Sequence, residues 1–141
     1  MNTPFELIRY FYPSSFMAAN KEFKPESFVL PGIEVRPNMM QNAEAANRWD
    51  IALFVGTQDN TDRTSAPYDF GISIFGMFLC GFPEDSSVEE LLKYKRLFYV
   101  NASSMLYSAV RDHLLTLTAL GPYGPFVLPA YRFDPEDIVA Q

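Results

Sequence analysis

Tyr68-Asp-Phe-Gly-Ile-Ser-Ile-Phe-Gly-Met-Phe-Leu-Cys80 reads as one long strand. Side chains alternate across a strand, so Tyr68, Phe70, Ile72, Ile74, Phe78 and Cys80 share a face, with Gly76 as a gap in the row. That face is apolar throughout, the pattern of a strand packed on a core. Asp69, Gly71, Ser73, Phe75, Met77 and Leu79 share the other face, which begins small and polar and ends apolar. An antiparallel strand with one solvated face keeps that face polar. The end at Phe75, Met77 and Leu79 therefore needs a cover: a helix, a second subunit or a bound client.

Upstream, Trp49, Ile51, Leu53, Val55 and Thr57 alternate cleanly and predict a further strand. The turn-rich run Gln58–Ser65 joins it to the Tyr68 strand, so the pair is expected to be antiparallel neighbours. Phe5–Phe16 predicts a first strand, with Phe5, Leu7 and Phe11 on one side and Ile8, Tyr10 and Tyr12 on the other. Pro13 requires an edge or a bulge there. Asn20–Glu26 is a polar loop carrying one aromatic, Phe23. Phe28–Val35 predicts a second strand, interrupted by the turn signal Pro31-Gly32, and residues 37–47 a polar connection.

Downstream the period changes to that of a helix. Ser87-Val-Glu-Glu90 fits a capping box and starts a short helix ending near Lys95. A longer helix is expected over Ala102–Leu120, with Leu106, Val110, Leu114 and Leu117 as its apolar stripe and Gly121-Pro122 as its stop. From Tyr123 to Pro135 the prolines and aromatics predict an extended segment lying on something else.

The 141 residues are most simply a single domain, long enough to bury a core without staples. Aromatics make up 16% of the chain and there are 11 prolines, a composition that favours sheets over helical bundles. A net charge of −6 opposes binding to nucleic acid. The single cysteine, Cys80, cannot form an internal disulfide. The N-terminus lacks the plan of a signal peptide, and no apolar run approaches the roughly 20 residues that span a bilayer. A cytoplasmic protein with no membrane insertion is expected.

Catalytic chemistry has little to stand on. The one histidine, His113, lies beside the helical stripe and reads as a buried or interfacial side chain with one hydrogen bond. Cys80 reads as a small core residue. No Cys or His pair has metal-ligand spacing, and Asp59-Asn-Thr-Asp62 lacks the glycine and the terminal glutamate of a calcium loop. Proline interrupts the only glycine-rich run, Gly121-Pro-Tyr-Gly, so no phosphate loop is present. The chain is expected to be no enzyme and to use no cofactor. What remains positive is surplus apolar surface, at Phe23, Phe75, Met77, Leu79, Tyr131 and Phe133.

The sequence resembles the SecB-type protein-export chaperones in four places taken in the same order. Lys21-Glu-Phe-Lys-Pro-Glu26 is similar to the family's K-D-W-Q-P-E. Tyr68–Phe78 resembles the strand F-L-C-E-V-x-x-x-G-I-F. Val110-Arg-Asp-His-Leu114 followed by Gly121 resembles A-R-E-x-I followed by glycine. Phe126-Val-Leu-Pro-Ala-Tyr-Arg-Phe-Asp134 resembles L-N-L-A-P-V-N-F-D. The resemblance implies an α+β fold: a four-stranded antiparallel sheet with a long helix packed on one face. It also implies a homo-oligomer, dimer or tetramer, with apolar grooves for unfolded polypeptide clients. Phe23, Phe75, Met77, Phe78 and Phe133 on the matching motifs, and Tyr107 just before the helix motif, are its implied peptide-binding residues, Phe23 and Phe133 foremost. SecA is the weakest implied partner, because the family's further helix and SecA-contacting tail have no match after Asp134-Pro-Glu-Asp-Ile-Val.

The expected function is ATP-independent holding of non-native polypeptide, by apolar side chains in a groove and by backbone pairing at a strand edge. Two rivals stand beside it. One is a structural oligomer whose own subunits use up the apolar patch. The other is a small-ligand-binding domain with the groove as a pocket.

Overall fold

The computed structural model describes residues 5–30, 32–58 and 63–139. The turn at 59–62 and Pro31, both singled out above, lie outside them. Four strands, β1 (Phe5–Ala19), β2 (Ile33–Gln41), β3 (Arg48–Thr57) and β4 (Tyr68–Cys80), precede one helix, α1 (Val88–Thr118). All pairings are antiparallel and the spatial order is β1-β4-β3-β2. Strand β4 has the bounds the alternation predicts. Its inner row is buried residue by residue, while its outer row is only half covered.

The gap at Gly76 is filled from the helix. A Cβ built there would stand 2.9 Å from Leu106 Cδ2, so glycine lets α1 settle onto the middle of β4. Phe5, Phe78 and Phe98 form an edge-to-face cluster at one end of this contact, with ring centroids 5.2–5.9 Å apart.

Several expectations need correction. The two helices are one. Ser87 caps it, accepting a hydrogen bond from Glu90 N at 3.2 Å, and residues 96–101 contain no glycine or proline to break it. Leu117 is exposed, and Thr118 takes the buried place at the end of the stripe. The second strand starts later than predicted and runs through Pro37, taking in the first part of the supposed polar connection. Proline is tolerated because β2 is an edge strand. In β1, register shifts between Leu7 and Arg9 and between Phe11 and Ser14 each insert a residue. The first of them turns Phe11 away from the face of Phe5 and Leu7, so its ring meets Phe75 at 5.4 Å.

The sheet order forces the chain between β1 and β2 to cross the ends of β4 and β3. Residues 20–30 make most of this crossover, with a 3-10 turn at Pro25–Ser27. After α1 the chain reverses at Gly124, whose φ of 78° suits glycine. It then runs back along the helix in extended form. Thr118 Oγ1 accepts from Phe126 N (2.8 Å), Tyr107 Oη donates to Pro129 O (2.6 Å) and Tyr99 Oη donates to Asp137 (2.9 Å). Phe126, Leu128 and Phe133 bury their side chains on the way. The predicted extended segment is thus a second cover for the sheet beside α1.

Candidate peptide-binding groove

The crossover and the turn after α1 meet at one end of the sheet and leave a groove of about 700 Å³ between them. Phe23, Pro25, Phe28 and Leu30 make one wall; Pro122, Tyr123, Pro125 and Val127 make the other; Pro67 and Tyr68 lie at the bottom. The lining is apolar and aromatic. Phe28 is 50% exposed, and Leu30, Tyr123 and Val127 are exposed with it. Across the groove the rings of Phe23 and Tyr123 approach to 4.8 Å, edge to face. The four prolines fix φ and carry no N–H, so these walls present carbon surface rather than a ladder of donors. Such a site suits apolar side chains of an extended peptide.

Polar groups hold the base of the groove. Asn20 is 1% exposed, and its amide bridges Ala66 O (2.7 Å), Glu22 N (3.1 Å) and Arg63 Nη2 (2.8 Å). Arg63 also pairs with Asp69 and Glu22, whose hydrogen bonds raise its already high pKa.

The six residues implied by the resemblance do not share this place. Phe23 lines the groove. Phe75 and Met77 lie half-buried on the face of the sheet away from the helix, beside exposed Leu79, with exposed Phe16 opposite Gly71 farther along that face. Phe78 is 0% exposed, Tyr107 5% and Phe133 2%. These three belong to the chain's own core and present almost no surface to a client. Burial also raises the Tyr107 pKa. Phe133 contributes to a second apolar depression of about 790 Å³ between α1 and the returning segment, with Leu92, Leu97 and Val100.

Sequence reading missed Phe28 and Leu30, which alternation assigned to a strand, and Tyr123 and Val127. The proline run from Pro122 to Pro129 was the available signal, since it marked an extended segment rich in apolar side chains. The two reactive side chains have ordinary settings. His113 stacks on Tyr12 (4.3 Å) and its Nε2 is 2.8 Å from Ser15 Oγ. Burial pushes the Cys80 thiol up to about 12. Among the described residues no helix is long and apolar enough to cross a membrane.

No family model matches the sequence, and no curated protein matches it. Among solved structures, a Mycobacterium tuberculosis SecB-like chaperone, determined in complex with a peptide from an antitoxin, superposes with a TM-score of 0.66. The alignment covers 93% of each chain at 15% identity. A protein of unknown function from Streptococcus agalactiae is 18% identical over 90% of this chain and 97% of its own, with a TM-score of 0.42.

Proposed function

We propose that this chain, whose fold is SecB-like, is a chaperone that holds non-native polypeptide in the groove between Phe28 and Tyr123, without ATP and without catalysis. The observation that supports this most is the exposed aromatic lining of a proline-braced groove. Surface of this kind is costly to leave in water unless a partner covers it. A small molecule would find little to orient it there, since among the described residues no side-chain charge lines the groove. The neighbour of similar fold was solved with a peptide bound, which agrees with a polypeptide client.

The chain acts in the cytoplasm in this reading. SecA is no part of the proposal, and an antitoxin-like client fits as well as an exported one. A homo-oligomer is the second element of the proposal. Phe11, Phe54, Phe75 and Met77 on the helix-free face, and Leu97 and Met105 on α1, are apolar positions that subunit contacts would use.

The test is suppression of aggregation of a chemically unfolded client at near-stoichiometric ratio without nucleotide, followed by light scattering. Phe28→Asp should abolish protection while the circular dichroism spectrum and the mass in solution stay unchanged. Full protection by that variant would remove the groove from the function. Phe133→Asp is unsuitable for this purpose because it would place a charge in the core.

A further inference from the structure

We propose that Asn20 and Tyr68 are positioning residues of the groove, two buried polar side chains that hold its walls in one shape before a client arrives. The inference rests on the groove being the client site. Asn20 serves the crossover wall. Its backbone N–H donates to Pro67 O (2.9 Å), its side-chain amide donates to Ala66 O and Arg63 O, and its Oδ1 accepts from Glu22 N and Arg63. Its carbonyl accepts from Phe23 N at 3.1 Å, which sets the start of the loop carrying the Phe23 ring.

Tyr68 serves the opposite wall. Its hydroxyl donates to Gly124 O (2.7 Å) and accepts from Tyr123 N (3.1 Å), so a single oxygen clasps the turn after α1. The clasp is close: a Cβ at Gly121 would stand 2.5 Å from that oxygen. The two anchors meet where Tyr123 Oη donates to Asn20 O (3.0 Å), across the groove's base.

Ring contacts alone do not fix a wall, because edge-to-face pairs tolerate a range of separations and tilts. Hydrogen bonds from buried side chains do, since leaving either partner unpaired in the interior is unfavourable. The shape is therefore set from the sheet end, and the prolines of both walls remove backbone freedom that would otherwise be lost on binding.

Tyr68→Phe tests this, since it keeps the ring in the core and deletes the clasp. In the free protein, amide hydrogen exchange at Tyr123 should accelerate by about tenfold or more. Exchange at Ile72 and Ile74, and at Phe126, which is held separately by Thr118 Oγ1, should stay as in the wild type. Affinity for a fluorescein-labelled unstructured peptide rich in Phe and Leu should fall by about the factor by which the preformed state is depopulated, again about tenfold. Asn20→Ala should do the same at the Phe23 amide. If it fails to fold, Tyr123→Phe removes only the bond to the Asn20 carbonyl and should weaken binding in the same direction. A merely structural role would lower the unfolding midpoint and leave affinity in place. Unchanged Tyr123 exchange in Tyr68→Phe, or affinity within about twofold of wild type despite faster exchange, would overturn the proposal. A wild-type protein that binds no peptide would sink the chaperone reading instead, and the exchange measurement would still judge the clasp.

Discussion

Gly76 and Gly71 sit on opposite faces of the same strand, and their surroundings predict opposite responses to the same change. A methyl at Gly76 would press on Leu106 and Phe78 at 2.9 Å, both deeply buried and unable to yield. Among the described residues a methyl at Gly71 would meet only the Phe54 ring, at 3.4 Å. Gly76→Ala is therefore expected to destabilise the protein by about 1–3 kcal/mol through overpacking. Gly71→Ala should stay within about 0.5 kcal/mol of the wild type. Urea unfolding midpoints of the two variants check this, and equal midpoints would remove the helix contact as the reason for Gly76. The gap in the inner row was legible from alternation. What fills it was not, because Leu106 is thirty positions downstream and belongs to an element with another period. The same limit explains Phe78 and Phe133: matching a motif identifies a residue's place in the fold, and solvent access depends on what packs above it.

At the scale of elements, the strand ladder was more legible than its joints. β3 and β4 alternate without interruption, and the structure keeps their bounds to within a residue. The irregular β1 hides two inserted residues, because a bulge flips every side chain after it while composition stays the same. The sequence reading divides α1 into a short helix ending near Lys95 and a longer one from Ala102, leaving residues 96–101 between them. Nothing in that span stops a helix, and packing of Phe98, Tyr99 and Ala102 against the sheet carries it through. Asn101, exposed at this point, gives a direct check. With one continuous helix, Asn101→Pro should cost about 3 kcal/mol or more in urea denaturation. Near-wild-type stability would restore the two-helix reading.

For the whole molecule, the buried phenols and thiol predict how stability responds to alkali. Burial raises the pKa of Cys80, Tyr12, Tyr99 and Tyr107; a hydrogen bond to Asp137 adds to the effect at Tyr99. The unfolded thiol titrates near 9.0 and the phenols near 10.0, so the folded state holds these protons more tightly than the unfolded chain. Their contribution is complete below pH 9.0 and is lost as pH rises towards the folded values, about 12 for Cys80. The urea midpoint should accordingly be lower at about pH 11 than at about pH 8, and a flat profile would contradict the burial of these groups. By itself the sequence determined the antiparallel core strands, the helical second half and the extended return, because local alternation, capping and proline placement act within each element. Only the tertiary structure decided that β1 crosses to pair with β4, which carries the β1–β2 crossover over the sheet end and builds the groove there. It also decided which aromatics line that groove and which fill the core. Both outcomes depend on contacts between residues far apart in the chain, where spacing along the sequence carries no information about who covers whom.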